Sequence, residues 1–275
     1  MREKGEYMKE ENLLALEKQA FQGDAEAQCR LGDVYFFDGD EDDLARSFYW
    51  YGMAARRGWA EGQYNLAYQY EQGLGVPQDY ERAGSWYKKA ALQGHGPAAN
   101  NLGHLYEIGC GVPQDYREAL FWYEQAGRSG DADGQCNAGI MYQFGYTGEA
   151  DYEQAAYWYA QGAAQGNFIA QNNLGYLYEM GKGVEKDEAR AAALYEQAAF
   201  AGDGPAQNNL GQLYRDGRGV AQDLQQAAYW FAVSAANGYT EGIKNYIYAL
   251  EHGEGVRQDT QQAAYWQSML HDSEK

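Results

Sequence analysis

Only three cysteines occur in the 275 residues, Cys29, Cys110 and Cys136, and no two of them form a Cys-x-x-Cys pair. That excludes a disulfide framework and points to a reduced, cytoplasmic protein. No run of about 18 apolar residues occurs, so no membrane insertion is expected. The first twelve residues, MREKGEYMKEEN, are charged and lack the apolar stretch of a secretory signal. Basic residues are scarce: 21 Lys and Arg stand against 40 Asp and Glu, a formal net charge of -19. A field of that sign repels nucleic acid and anionic membrane surfaces and favours a basic partner. There are four histidines, and no HExxH, GxSxG or phosphate-loop pattern accompanies them. Nothing in the chain calls for a cofactor or a resident metal.

What the chain has in abundance is tyrosine, glycine and repetition. The stretch AQNNLGQLYRDGRGV, Ala206 to Val220, echoes AQNNLGYLYEMGKGV from Ala170 and AANNLGHLYEIGCGV from Ala98. A stretch returning at fixed spacing is a structural unit. Its anchors are Leu31, Leu66, Leu102, Ala138, Leu174, Leu210 and Tyr246, 35 residues apart at the first step and 36 at every later one. A second series, Trp50, Trp86, Trp122, Trp158, Leu194, Trp230 and Trp266, keeps the 36-residue spacing throughout.

Each unit reads as two helices. The first, helix A, carries Leu-Gly-x-x-Tyr, as in Leu102, Gly103 and Tyr106; Leu and Tyr four apart share a face. Glycine inside a helix costs about 1 kcal/mol against alanine, so its recurrence at Gly32, Gly103, Gly139, Gly175 and Gly211 predicts a close helix-helix contact. A Gly-x-Gly-Val loop then ends helix A, as at Gly181, Gly183 and Val184. The aspartates Asp43, Asp79, Asp115, Asp151, Asp187, Asp223 and Asp259 are placed to cap helix B. Several have a capping-box partner three residues on, such as Glu118 after Asp115. Helix B carries Ala, Trp-Tyr and small residues, and ends at a glycine.

The expected organisation is one repeat domain over residues 1–275. Residues 11–23 form an N-terminal capping helix. Seven repeats follow, at 24–58, 59–94, 95–130, 131–166, 167–202, 203–238 and 239–275. The last helix B decays into QSMLHDSEK, with Gln267 in place of an aromatic. A polar outer face suits the end of a stacked array.

The pattern LG-x-x-Y, G-x-G-V, D-x-x-x-A-x-x-W-Y-x-x-A-A, G resembles the Sel1-like repeat family, relatives of tetratricopeptide repeats. The resemblance covers residues 11 to 271. It implies an all-α, right-handed superhelical solenoid and adaptor or scaffold work between proteins, including immunity partners of bacterial toxins. A cysteine-rich branch of the family is linked to β-lactam binding; the paired cysteines it uses are missing here. Repeat four departs from the pattern, with Gly145-Tyr-Thr-Gly148 in its loop and Ala138 at the anchor, and repeat one carries FDGDEDD as its loop.

Catalytic candidates are thin. His104 lies three residues from Glu107 on helix A and reads as a surface pair; with Cys110 they are the candidates should the chain be an enzyme. The acidic run from Asp38 to Asp43 only faintly resembles a calcium loop, since the glycine and terminal glutamate of such loops are missing. Asparagine precedes the anchor at Asn65, Asn101, Asn137, Asn173, Asn209 and Asn245. It reads either as an amide ladder that grips an extended peptide or as buried amides that satisfy loop carbonyls.

Family analogy puts helix A along a concave groove, whose positions vary between repeats. Two before the anchor stand Tyr64, Asn100, Asn172 and Asn208. Two after it stand Asp33, Tyr68, His104, Tyr176, Gln212 and Tyr248. Five after it stand Phe36, Glu71, Glu107, Glu179, Arg215 and Glu251, and Asp216 is six after. Phe37, Ile108 and Phe144, also six after, read equally well as packing. Aromatic residues beside carboxylates suit a protein or peptide partner with a basic surface. The leading expectation is therefore a non-enzymatic scaffold, monomeric or weakly oligomeric, with an immunity protein against a basic toxin or effector as the sharper form. The alternatives are an enzyme or small-molecule binder and a self-associating structural adaptor.

Overall fold

The computed structural model of the chain describes residues 10–38 and 40–273. Among the described residues every regular element is a helix. A single helix, α1 (Glu10–Gln22), precedes seven pairs. These are α2 (Ala25–Asp38) with α3 (Glu41–Arg56), α4 (Ala60–Gln72) with α5 (Tyr80–Ala91), α6 (Gly96–Ile108) with α7 (Tyr116–Arg128), and α8 (Ala132–Phe144) with α9 (Tyr152–Ala164). Then come α10 (Phe168–Met180) with α11 (Glu188–Phe200), α12 (Gly204–Asp216) with α13 (Leu224–Ala236), and α14 (Thr240–His252) with α15 (Thr260–Ser273). The architecture is an all-α solenoid of two-helix repeats behind a capping helix.

The chain divides into two compact units, one ending at Asn137 and one beginning at Ala138. Within each, helices pack chiefly on their neighbours in sequence, and A helices also meet A helices, as α2 meets α4 and α12 meets α14. In the first unit Leu16 and Ala20 of α1 are buried against Ala27, Leu31 and Trp50, so α1 covers apolar surface that would otherwise face water. Further on, Leu102, Leu105, Tyr87 and Trp122 share one cluster. In the second, Leu210, Leu213, Tyr195 and Trp230 repeat that arrangement.

The glycine after each anchor receives a ring. A Cβ on Gly175 would stand 2.8 Å from Cε1 of Tyr195, and one on Gly139 2.5 Å from Cδ1 of Tyr159. The close contact expected at these glycines is thus made chiefly by the helix B aromatic, whose Cδ1 and Cε1 come closest.

Caps follow the repeat with two corrections. Asp79, Asp115, Asp151, Asp187, Asp223 and Asp259 each accept a backbone N–H of the following turn. In the first repeat the cap is Asp40, which accepts from Asp43 N at 2.8 Å; α3 starts early, and Asp43 lies inside its first turn. The capping box is not closed at Asp115. Its own N–H is donated to the Tyr106 carbonyl at 2.9 Å, and Glu118 instead accepts from Trp122 Nε1 at 3.1 Å. The same helix A carbonyl position takes the cap N–H in later repeats, as Tyr178 does for Asp187. Asp187→Ala removes only the side-chain half of this joint and should lower stability by about 1 kcal/mol, read as a lower urea midpoint at unchanged slope.

In five of the seven repeats a buried glutamine, three residues before the anchor, ties helix A to the helix before it; Ala99 and Ile243 stand there in the third and seventh. Gln28, Gln63, Gln135, Gln171 and Gln207 donate from Nε2 to the carbonyls of Ala20, Ala55, Gly127, Ala163 and Ala199, at 2.9 to 3.3 Å. These carbonyls belong to the last turn of the preceding helix, where no intrahelical donor remains. Each already accepts the N–H of the glycine that follows the helix, as Ala199 does from Gly202 at 3.1 Å, and the amide adds a second donor out of reach of water.

Candidate functional site

The variable positions of the A helices fall into two kinds of surroundings. In the first unit, Asp33 and Phe36 of α2 and Tyr64 and Tyr68 of α4 line one cavity of about 410 Å³, with Phe37, Tyr51, Glu61 and Asn65. Tyr51 Oη donates to Asp33 Oδ1 at 2.7 Å. Burial, and then the nearby Glu61 charge, hold the Asp33 carboxyl above the usual carboxylate range against the pull of that hydrogen bond. Glu61 goes the other way: its hydrogen bond with His95 lowers its pKa. His95 Nε2 lies 3.0 Å from Glu61 Oε2, its Nδ1 accepts from Ala98 N at 3.2 Å, and its ring stacks on Tyr64 at 4.8 Å.

The carboxylates five after the anchor are held from within. Tyr87 Oη donates to Glu71, Tyr123 Oη to Glu107, and Tyr195 Oη to Glu179 at 2.7 Å. Gln143 takes the same bond from Tyr159 at 2.8 Å. Burial and the adjoining carboxylate raise the pKa of Tyr87, Tyr123 and Tyr195 well above the ordinary phenol value, so each remains a proton donor. Glu71 and Glu107 are half-buried, and Glu179 is only 8% exposed. Glu179 also pairs with Arg218 Nη1 at 2.6 Å. In the sixth repeat the donor is replaced by Phe231, and Arg215 lies over its ring at 5.9 Å while pairing with Asp216 at 2.9 Å. In the seventh, Gln267 donates to Glu251 at 2.8 Å.

Asn100, Asn172 and Asn208 form rungs between neighbouring A helices. They accept from Asn137, Asn209 and Asn245 at 2.9, 3.0 and 2.7 Å. These three pairs bond amide to amide, whereas Asn101 donates to Tyr87 Oη at 3.1 Å and Asn65 to Asp33 Oδ1 at 3.5 Å; none of these bonds goes to a loop carbonyl. Of the remaining positions, Tyr176 accepts from Lys182 Nζ at 3.1 Å, Tyr248 stacks on His252 at 4.1 Å, Gln212 is half-buried and His104 is exposed.

No hydrogen bond or ion pair joins His104 to Glu107 or Cys110, and among the described residues no three His, Cys, Asp or Glu are grouped to hold a metal ion. Burial pushes the Cys29 and Cys136 thiols up to about 12, far from nucleophilic at neutral pH. Asp38 and Gly39 of the acidic loop lie outside the side chains described.

Sequence reasoning missed His95 and Glu61. The signal was present: His95 occupies the start of helix A, where Asp24, Asp131, Asn167 and Asp203 cap the equivalent helices. It also missed an outward aromatic on helix B, one before the tryptophan, where Tyr157 and Tyr229 are 57% and 56% exposed.

A stack of helix pairs with a recurrent core and a variable A-helix face defines a repeat solenoid. The chain belongs to the Sel1 repeat family, whose model matches residues 25–59, 60–95, 96–131, 132–167, 169–203, 204–239 and 242–266. It is similar to a protective antigen of uropathogenic Escherichia coli displaying an SLR fold, 37% identical, with 95% of this chain and 56% of that one covered and a TM-score of 0.86. A Sel1 repeat protein from Oxalobacter formigenes is 29% identical, with 88% and 96% covered and a TM-score of 0.79. Protein sel-1 homolog 2 of Rattus norvegicus is 38% identical over 69 residues, 24% of this chain and 10% of that protein. The chain thus spans about a tenth of the curated relatives it matches and little more than half of the Escherichia coli antigen. Among the described residues no helix is long and apolar enough to cross a membrane.

Proposed function

We propose that the chain is a non-enzymatic scaffold that binds a protein with a basic surface across the faces of its A helices. The observation that carries this reading is the set of aromatic rings and carboxylates at positions that vary while the core repeats: Phe36, Tyr64, Tyr68 and Glu71 in the first unit, Tyr176, Tyr248 and Glu251 in the second. Aromatic rings supply contact area, and carboxylates select and steer a basic partner. A phenol that donates to Glu71 or Glu107 fills one acceptor site and fixes the carboxylate in place, which lowers the entropy lost on binding. In the sharper form the partner is a basic toxin or effector, and the chain is its immunity protein; the net charge of -19 supports that version.

Site-specific photo-cross-linking in the source cell tests the reading. A cross-linkable residue at His104 or Tyr248, on the A helices, should give discrete adducts with a protein of positive net charge. The same residue at Tyr157 or Tyr229, on the outer face of the B helices, should give none. Adducts from the B helices alone, or with acidic proteins, would overturn it.

A further inference from the structure

The cavity of the first unit contains acceptors that the protein leaves unused. Asp33 receives both of its donors, Tyr51 Oη at 2.7 Å and Asn65 Nδ2 at 3.5 Å, on Oδ1. Glu61 receives His95 Nε2 on Oε2 at 3.0 Å. Among the described residues, Asp33 Oδ2 and Glu61 Oε1 have no protein donor. Rings stand around them: Phe36 meets Tyr68 edge-on at 6.3 Å, and Tyr64 is held by its stack on His95. The cavity of about 410 Å³ is open to solvent.

Two carboxylates of like charge, walled by aromatic faces, select a particular cation. A calcium ion needs six to eight oxygen ligands, and two carboxylates among rings do not supply them. An ammonium is compact and strongly hydrated, so stripping its water for ring contact is unfavourable. A guanidinium is planar and weakly hydrated. It donates along its edges to two carboxylates while its faces lie on rings.

We propose that Asp33, Glu61, Phe36, Tyr64 and Tyr68 form a pocket for an arginine side chain of the bound protein. The inference rests on the A-helix reading above and names the residue that anchors the partner. His95 is a positioning residue here. Its Nδ1 accepts the Ala98 N–H, which puts the ring proton on Nε2 and aims it at Glu61. Glu61 is thereby fixed at the rim with its other oxygen facing outward. Burial, and then the Glu61 charge, raise the Asp33 pKa despite the Arg30 charge, and a guanidinium in the pocket would oppose that shift.

The test uses the full chain and a labelled peptide carrying one central residue, arginine, lysine or the uncharged isostere citrulline. The arginine peptide should bind about tenfold more tightly than either of the others. Asp33→Asn and Glu61→Gln should each weaken it about tenfold. Asp33→Asn still accepts from Tyr51, so the variant folds, and circular dichroism melting checks that it has. Glu81→Gln, exposed in the first turn of α5 and away from the A-helix faces, should leave binding unchanged. Equal affinity for arginine and citrulline, or no binding by any of the three peptides, would overturn the proposal. So would arginine amide alone competing as well as the peptide, which would mark a small-molecule site. If the pocket variants bind as the parent does while His104 and Tyr248 still cross-link a basic protein, the pocket falls and the scaffold reading stands. If those cross-links fail, the scaffold reading falls on its own evidence.

Discussion

Gly183→Ala should cost about 3 to 5 kcal/mol, one of the largest losses available from a single methyl group in this chain. Two penalties coincide. The residue has φ of 66°, a left-handed conformation that alanine adopts at a cost of about 1 to 2 kcal/mol. The added Cβ would also stand 2.2 Å from the Tyr152 carbonyl carbon and 2.3 Å from its oxygen, the first turn of α9 in the preceding repeat. Neither can retreat, because both are backbone, so the loop must lift away and take Val184 with it. Gly166→Ala is the control. Its φ is 85°, yet nothing lies within 4 Å of the added Cβ, so only the conformational penalty applies. Urea unfolding of both variants should give a loss at Gly183 at least twice that at Gly166. Equal losses would mean that the contact with Tyr152 is soft and that glycine is there for its φ alone. The same geometry recurs at Gly75, Gly111, Gly219 and Gly255, each against the backbone of the preceding helix B.

Those glycines also explain why so much of the fold was legible in the sequence. The 36-residue period, the paired helices and their ends follow from residues whose reason is local: a glycine that must be left-handed, an aspartate that caps the next turn, a leucine four before a tyrosine. Each can be judged within one repeat, and seven copies make the judgement secure. The face of the A helices was harder to read because its reasons span two helices. The residue five after the anchor runs Glu71, Glu107, Gln143, Glu179, Arg215 and Glu251, and variation of that kind reads as recognition. Set beside the residue sixteen further on, the series has a second rule. Glutamate or glutamine stands where helix B supplies Tyr87, Tyr123, Tyr159 or Tyr195; Arg215 stands where it supplies Phe231; and Glu251 meets Gln267. The acceptor follows the donor. In the first repeat Tyr51 finds Asp33 instead, one turn earlier, and Phe36 is released to the cavity. The asparagines hide in the same way, since their partners lie 37 residues away on the neighbouring A helix.

The donor-acceptor rule has a direct consequence at its most buried example. Glu179→Leu should cost about 3 kcal/mol, whereas Glu179→Gln should cost about 1. Leucine leaves the Tyr195 hydroxyl, which is fully buried, with no acceptor, and such an orphan costs about 1 to 3 kcal/mol. It also removes the closer of two partners of Arg218, at 2.6 Å; Asp216 remains at 3.4 Å and the side chain is 32% exposed, so this second loss is largely compensated. Glutamine keeps an acceptor for the phenol, as Gln143 does for Tyr159, and forfeits only the ion pair. The decisive variant is the double one. Adding Tyr195→Phe to Glu179→Leu removes the orphaned hydroxyl and should restore about 1 to 2 kcal/mol, although Tyr195→Phe alone is destabilising because it abandons a buried carboxylate. A change that harms the parent and helps the variant is the mark of two groups present for each other. Urea midpoints of the four proteins complete the cycle. If Tyr195→Phe costs the same in both backgrounds, the pair is not coupled, and the alternation of glutamate, glutamine and arginine along this face would then belong to the partner alone.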